Sequence, residues 1–200
     1  MNKIITIGRE FGSGGREFGR RLAEELGFEY YDKEIVTEIS KHTSLSEEYV
    51  KHVVENAPHA LFPITVGRSF TYADDYSIKQ IQTVYAAKDE IIKELAEKSN
   101  CIIVGRCADY ILKDYNPYKI FVYADLDSKI KRCMERLGPE DKADEKLIVK
   151  YIKKVDRRRA RYYEFYTDNK WGDKRNYDLC INTTDTVIKE IVPIIAKMFK

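Results

Sequence analysis

A glycine-rich turn near the start of the chain has the composition of a phosphate-binding loop. Residues 4–19 are IITIGREFGSGGREFG, which predicts a short apolar strand, a turn and a helix that continues to residue 26. Glycine lets successive backbone N–H groups converge on one anion, and the helix N-terminus adds its partial positive charge. We therefore expect phosphate to bind at this turn, through Gly8, Gly12, Ser13, Gly14, Gly15, Arg16 and Glu17. The alternative is a strand-to-helix connection that merely needs glycine.

The side chains of this turn depart from the common phosphate-loop pattern G-x-x-x-x-G-K-[ST]. One alignment places Gly15 at the lysine position, and the other places Arg16 there, with Glu17 at the magnesium-binding hydroxyl. Arg16 has the charge to reach terminal phosphates as a catalytic group, although its guanidinium is bulkier and forked. Ser13 or Glu17 is the candidate ligand for Mg²⁺. Glu17 can also be explained as a first-turn acid favoured by the helix dipole.

A second candidate follows the continuous apolar run at 101–104, which is typical of a central parallel strand. Arg106 comes directly after that strand and Gly105, so we expect it at the carboxyl edge of the sheet, where α/β folds bind ligands. Asp109 lies about one helical turn further on, where it can orient Arg106 or bind metal. The alternative is a surface arginine paired with Asp109.

The third candidate is the run DRRRAR at 156–161. Arg157, Arg158 and Arg159 fan over a wide arc of a helix, so they cannot all contact one ligand. A solvated basic helix and a nucleic-acid surface are two interpretations of such a run, and a phosphate-clamping lid is the third. The chain has 35 basic and 33 acidic residues and a net charge of +2. That balance disfavours bulk capture of nucleic acid or an anionic membrane and favours the lid.

The order of the predicted elements indicates one α/β domain with a five-stranded parallel sheet. Strands are predicted at 3–8, 28–31, 101–104, 119–124 and 177–182. Helices are predicted at 15–26, 33–41, 44–56, 77–99, up to 113, 127–137, 144–166 and 185–199. A box formed by Ser44 and Glu47 is expected to cap the third helix. Between 57 and 76, prolines and an acidic pair predict a loop or mobile insertion.

The remaining composition narrows the class of protein. The four cysteines include no C-x-x-C pair and no neighbouring histidine, so we expect free thiols in a reducing compartment rather than zinc or disulfides. There is no apolar run of membrane-spanning length and no secretory pattern at the start. We therefore expect a cytoplasmic protein with no membrane partner.

The motifs, taken in order, resemble the cytidylate kinase-like family, within the nucleoside-monophosphate kinases of the P-loop group. The similarity spans nearly the whole chain. Its motifs are the Gly-Ser-Gly turn, Tyr31-Asp32, the strand ending in Gly105-Arg106, residues 119–122 followed by Lys131-Arg132, the arginine run at 156–161 and the strand at 177–184.

The resemblance implies a three-layer P-loop kinase fold with helices on both faces of the sheet and a helical lid. Residues 33–98 would include the acceptor-binding region and residues 150–170 the lid. It implies transfer of the γ-phosphoryl group of ATP, with Mg²⁺, to a nucleoside monophosphate or another small acceptor. Because the lid segment is highly charged, we expect little apolar surface to hold it in place.

The resemblance also assigns roles to individual residues. Arg106 would bind the acceptor phosphate, Asp32 would lie where the acceptor nucleotide approaches, and the lid arginines would close over the transferring group. Those lid arginines are Arg157, Arg158 and Arg161.

The chain departs from the family at two points. The phosphate-loop lysine is missing, and Glu38 stands where the family has an arginine that binds the acceptor phosphate. An acid there would repel a phosphate. Two other classes therefore remain open: a non-catalytic nucleotide-binding or regulatory protein, and a nucleic-acid-binding module that uses the basic helix.

Overall fold

The computed structural model describes residues 2–56, 75–137 and 144–200. The strands are β1 (Ile4–Arg9), β2 (Glu29–Tyr31), β3 (Cys101–Val104), β4 (Tyr118–Tyr123) and β5 (Leu179–Asn182). The helices are α1 (Gly15–Leu26), α2 (Glu34–Thr43), α3 (Glu47–Glu55), α4 (Asp75–Lys98), α5 (Ala108–Ile111), α6 (Leu126–Met134), α7 (Glu145–Thr167) and α8 (Ile188–Ala196). None of the helices in this part of the chain is long and apolar enough to cross a membrane.

The five strands form one sheet in the order β2-β3-β1-β4-β5, and every neighbouring pair is parallel. β1 lies at the centre, and its register with β3 pairs Ile7 with Val104. The two strands therefore end at the same edge of the sheet. This register brings together Arg9, the last residue of β1, and Arg106, which follows β3.

Helices cover both faces of the sheet, so the fold has the three layers that are predicted from the sequence. On one face, α2, α3 and α4 bury aliphatic side chains against β3, including Ile35, Val50, Ile92 and Ile103. On the other, α1 and α8 pack against β1 and β4 through Phe18, Leu22, Val192, Ile7 and Ile120. Strands buried on both faces need apolar side chains at every position, which explains the continuous apolar run at 101–104.

The element boundaries differ from the sequence prediction in small ways. The predicted cap of α3 is wrong, because the Ser46 hydroxyl accepts from the Tyr49 N–H at 3.3 Å and Ser44 is the left-handed residue that ends α2. The two helices are joined too tightly for Ser44 to serve α3. The predicted insertion at 57–76 lies outside the described residues up to residue 74, and α4 begins at Asp75.

The long helix α7 is held by more apolar surface than its charged sequence indicates, so the expectation of a weakly held segment is wrong. Its buried side chains are Ile148, Ile152, Val155, Tyr162, Tyr163 and Thr167. The first half packs against α6, and the second half packs against Cys107 and further aromatic rings. The assignment of residues 150–170 as a lid stays a prediction, and an opening motion has to break these contacts.

A buried lysine also joins α4 to α7. Lys88 is fully buried, and its Nζ donates to the Tyr162 hydroxyl at 3.0 Å and lies 3.4 Å from the centre of the Tyr166 ring. Burial lowers the pKa of Lys88 to about 8, while the nearby Asp89 carboxylate opposes that shift. The phenol rings provide a partner for a cation that has lost its water.

Two glycines let α1 pack closely against the sheet. A Cβ at Gly15 would lie 2.6 Å from the Arg9 Cβ and 3.1 Å from the Val122 Cβ. A Cβ at Gly19 would lie 2.9 Å from the Cδ1 of Ile7. The first obstacle is fixed to the backbone, whereas the second is the free end of a side chain.

We expect Gly15→Ala to lower the free energy of unfolding by about 1–3 kcal/mol, the usual cost of overpacking. Gly19→Ala, in the same helix, should cost at least ~1 kcal/mol less, because Ile7 can rotate and alanine favours the helix. Urea unfolding of both variants measures the difference. Equal stabilities would contradict the close approach of Gly15 to Arg9.

Candidate active site

The glycine turn connects the end of β1 at Arg9 to the start of α1 at Gly15. Gly14 occupies the N-cap of α1 in a left-handed conformation and has no side chain to cap the helix, and the next N–H, that of Gly15, donates to Ser13 Oγ at a long 3.4 Å. The first N–H groups of a helix need partners from outside the helix. An oxyanion such as a phosphate supplies them, so the turn fits the group that the sequence predicts.

A buried ion cluster fixes this turn to α6 and α7. The Nζ of Lys129 lies 2.7 Å from Glu10 Oε2 and 3.0 Å from Asp156 Oδ2, while Asp156 Oδ1 accepts from the Phe11 N–H at 2.6 Å. Burial alone would lower the pKa of Lys129, but its bonds to these two carboxylates raise it overall. Sequence reasoning missed Lys129, since nothing near residue 129 marks it as a partner of the turn.

The two candidate metal ligands are engaged in contacts with the protein. The buried Ser13 Oγ donates to the Glu10 carbonyl at 2.9 Å, and Glu17 pairs with Arg21 at 2.8 Å. No group of three His, Cys, Asp or Glu side chains in the described ranges could hold a metal. Mg²⁺ commonly keeps several waters and binds substrate phosphates with one or two protein ligands. Ser13 and Glu17 stay the predicted ligands of Mg²⁺ carried by ATP, and either side chain would have to leave its present partner to bind the ion.

The structure brings Arg16 and Asp32 together. The Arg16 Nε lies 2.5 Å from Asp32 Oδ2, and its Nη2 donates to Oδ1 at 3.4 Å. Asp32 is buried and also lies 3.5 Å from the Arg9 Nη2. A paired fork of this kind fixes the direction of the guanidinium. Arg16 therefore faces the sheet edge near Asp32.

Arg9 is a site residue that the sequence prediction missed. Burial, followed by the charge of Arg159, lowers the pKa of Arg9 to about 9, and Asp32 opposes the shift. A Cβ at Gly105 would overlap the Arg9 guanidinium, so glycine is needed there. The signal that identified Arg106 was also present for Arg9, since each is a basic residue at the carboxyl end of a buried strand.

Arg106 is buried at this edge, so the alternative of a surface arginine paired with Asp109 is wrong. Its side chain is 9% exposed, and its Nη2 lies 3.4 Å from Glu55 Oε1 at the end of α3. Asp109 instead accepts from the Tyr163 hydroxyl at 2.7 Å. Burial raises the pKa of the Asp109 carboxyl.

The arginine run on α7 is divided between two faces of the helix. Arg158 Nη2 lies 3.1 Å from Glu55 Oε2, and Arg159 Nη1 donates to the Arg9 carbonyl at 3.1 Å. Arg157 and Arg161 are exposed. In this conformation Arg158 reaches the sheet edge, together with Arg159, whereas Arg157 and Arg161 do not.

These side chains enclose a cavity of about 100 Å³, which we call the arginine cavity. Its lining includes five arginines, namely Arg9, Arg16, Arg106, Arg158 and Arg159. Glu55 and Asp109 are its acids, and its aromatic residues are Tyr162, Tyr163, Trp171 and Tyr177. The Nε atoms of Arg106 and Arg158 and the Tyr177 hydroxyl are buried without a hydrogen-bond partner among the described residues. So many convergent donors favour an oxyanion.

A second cavity, of about 490 Å³, is lined by Glu17 from the first turn of α1. We call it the turn cavity, and its lining includes Glu17, Arg132, Arg136, Val187 and Ile188. The Arg132 guanidinium donates to the carbonyls of Thr183 and Thr186, which fixes it between α6 and the segment after β5.

Glu38 does not lie where the alignment with the family places it, next to an acceptor phosphate in the arginine cavity. It is exposed on α2 and pairs with Lys41 at 2.8 Å, and it does not line the arginine cavity. The repulsion expected between Glu38 and an acceptor phosphate therefore does not arise from this arrangement.

Known proteins share both the sequence and the fold. The family model described as the cytidylate kinase-like family matches residues 4–185. A cytidylate kinase from Staphylothermus marinus is 26% identical over 200 residues, which cover 98% of this chain and 96% of that protein. Among solved structures, an uncharacterized protein from Eubacterium ventriosum is 32% identical with a TM-score of 0.68, and the match covers 98% of each chain.

More distant structures share the fold alone. A shikimate kinase from Bacteroides thetaiotaomicron is 13% identical, with a TM-score of 0.56 and 98% of each chain covered. The match to the family model over 4–185, with the ordered motifs at the sheet edge, confirms the resemblance that the sequence suggests. The chain belongs to the cytidylate kinase-like family.

Proposed function

We propose that this protein is a kinase that transfers the γ-phosphoryl group of ATP to a nucleoside monophosphate or another small acceptor. The observation that carries the proposal is that consecutive residues in the first turn of α1 line two different cavities. Arg16 lines the arginine cavity, and the next residue, Glu17, lines the turn cavity. Phosphoryl transfer needs a donor and an acceptor that meet at one phosphate site, and these two consecutive residues of α1 directly follow the glycine turn.

The turn cavity is the proposed donor site. Its volume of about 490 Å³ is within the range of roughly 300–1,000 Å³ that small-molecule sites have. ATP bound there would place its phosphates at the glycine turn, and Mg²⁺ would neutralise charge on them. Its base would lie near the fixed Arg132 guanidinium and the aliphatic side chains of Val187 and Ile188.

The arginine cavity is the proposed acceptor site. Its volume of about 100 Å³ suits a phosphate group, but it is below the roughly 300 Å³ at which sites for larger ligands begin. A nucleotide therefore needs α7 to move away from the sheet edge, which supports the assignment of 150–170 as a lid. Glu55, which lines this cavity, lies within the predicted acceptor-binding region 33–98. Closure over the substrates would exclude water, which would otherwise hydrolyse ATP.

The chemistry proposed for these residues is positioning and charge neutralisation rather than covalent catalysis. Asp32 holds Arg16 at the start of α1, where its guanidinium can contact the transferring group. Arg158 and Arg159 approach from α7 and would add positive charge as the lid closes. Arg106, on a different strand, would bind the acceptor. The division of the arginine run between two faces also makes a nucleic-acid surface a weaker explanation of it.

ADP release in the presence of ATP, Mg²⁺ and a panel of nucleoside monophosphates and small alcohols tests this function. We expect turnover with at least one acceptor. Arg158→Ala should lower kcat/KM about 10²–10³-fold, the scale for loss of one positioned donor. Arg157→Ala, next in the chain but exposed, is the matched control and should change it less than about threefold.

Stabilisation by ATP without ADP release from any acceptor would favour the non-catalytic, nucleotide-binding alternative. Equal losses of kcat/KM in the Arg157 and Arg158 variants would contradict the proposal that Arg158 contacts the substrate from inside the cavity. No stabilisation by ATP at all, with or without Mg²⁺, would contradict nucleotide binding.

Arg16 provides an independent test within α1. Arg16→Ala should slow transfer or weaken nucleotide binding by about 2–4 kcal/mol, because the turn then has no cation in place of the missing lysine. Arg20→Ala removes the same charge one helical turn later, where Arg20 is exposed and pairs with Glu24. Steady-state kinetics and ATP titrations of the two variants give the comparison. Unchanged turnover and ATP affinity in Arg16→Ala would show that Arg16 has no such role.

A further inference from the structure

The carboxylate of Glu55 bridges two arginines of the arginine cavity. Its Oε1 lies 3.4 Å from the Arg106 Nη2, and its Oε2 lies 3.1 Å from the Arg158 Nη2. Its side chain is 25% exposed, whereas that of Arg106 is 9% exposed. The carboxylate thus contacts each arginine through a single Nη atom at moderate distance, and neither contact is the bidentate pair that a carboxylate and a guanidinium favour. The other Nη atom of Arg106 donates to the Val54 carbonyl at 3.5 Å.

This pairing leaves good donors unused. The Nε atoms of Arg106 and Arg158 are both buried and have no hydrogen-bond partner among the described residues. An unpaired buried donor is costly, so its presence at a cavity indicates a missing acceptor. A phosphate group offers oxygens in a tetrahedral arrangement, and one such group between the two forks can accept from the Nε and Nη atoms of both.

We propose that Glu55 is an internal anion that a phosphate group must displace to bind the arginine cavity, so that Glu55 sets the affinity and specificity of this site. The carboxylate holds Arg106 and Arg158 in position while the cavity is empty. An incoming phosphomonoester takes over both arginines and satisfies their remaining donors. A ligand without a strong anion cannot displace the carboxylate.

Among the acids near the cavity, Glu55 is the one whose place an incoming phosphate can take, because the others have partners of their own. Asp32 is bound by Arg16 and Arg9, and Asp109 is bound by the Tyr163 hydroxyl. Glu55 is the acid that contacts both Arg106 and Arg158 and is also partly exposed.

The exchange has a consequence for turnover that rests on the proposed function. The phosphorylated product carries more negative charge than the acceptor, and five convergent arginines would hold it strongly. The return of the Glu55 carboxylate competes with the product for two of them and thereby helps its release. Glu55 is then a specificity-determining residue, and it takes no part in the transfer itself.

Binding of inorganic phosphate, measured by isothermal titration calorimetry, tests the exchange without requiring kinase activity. Glu55→Gln keeps the size of the side chain but removes the competing charge, so we expect phosphate to bind about tenfold more tightly than to the wild type. Glu48→Gln is the matched control, because it makes the same charge change at an exposed position of α3. It should leave the phosphate affinity within about twofold.

Circular dichroism and thermal unfolding establish that each variant is folded. If Glu55→Gln does not fold, Glu55→Asp provides the test, since its shorter side chain cannot reach both arginines and should raise phosphate affinity by a smaller factor. Phosphate affinity that is unchanged or weaker in a folded Glu55 variant would overturn the proposal, and so would an equal gain in Glu48→Gln.

Kinetics distinguish failure of this proposal from failure of the proposed function. If the protein is a kinase and the exchange operates, Glu55→Gln lowers both the acceptor KM and kcat. Tighter phosphate binding without any ADP release would support the exchange and contradict the kinase. Normal ADP release with no change in phosphate affinity or KM would support the kinase and contradict the exchange.

Discussion

The structure depends on holding five guanidinium groups around one small cavity. Like charges at such distances repel by several kcal/mol unless acids and hydrogen-bond acceptors offset them. Burial and the neighbouring Arg159 lower the pKa of Arg9 to about 9, because both make its charged form less favourable. The offsetting acids come from three separate parts of the chain. They are Asp32 after β2, Glu55 at the end of α3 and Asp156 in α7.

The rest of the fold can be understood as support for this convergence of charge. The parallel register of β1 and β3 puts Arg9 and Arg106 at one edge of the sheet. Gly105 leaves room for the Arg9 guanidinium, and Gly15 lets the first turn of α1 approach Arg9 closely. The buried Lys88 and the aromatic residues of α7 fix the helix that carries Arg158 and Arg159. An anion in the cavity would relieve the same repulsion, so the site gains stability when it is filled.

The five parallel strands and their alternation with helices could be predicted because those signals are local, whereas the kinase fold was implied by the resemblance to the family. Apolar runs, glycine turns and alternating elements specify the five parallel strands and their helices without tertiary information. The strand-edge rule also found Arg106, and applied consistently it would have found Arg9. Glu55 and Lys129 could not be found in this way, since each acquires its role only from contacts with distant residues.

The arginine run illustrates the same limit within a single helix. The resemblance to the family implied phosphate contacts from Arg157, Arg158 and Arg161, but which arginines face inward is decided by how α7 packs. The buried positions Val155, Tyr162 and Tyr163 turn Arg158 and Arg159 toward the sheet edge. Those apolar positions are hard to recognise among so many charges, and the helix was therefore expected to be weakly held.

If the proposed donor and acceptor sites meet at the first turn of α1, one ligand can occupy both. The most direct measurement is the affinity of a bisubstrate analogue, in which adenosine is joined to a second nucleoside through an oligophosphate chain. Linking two binding groups of the right span raises affinity by about 10²-fold or more over either alone. We expect the analogue to show this gain in affinity over ATP in calorimetric titration of the wild-type protein. An analogue that binds no more tightly than ATP, across a series of chain lengths, would contradict it.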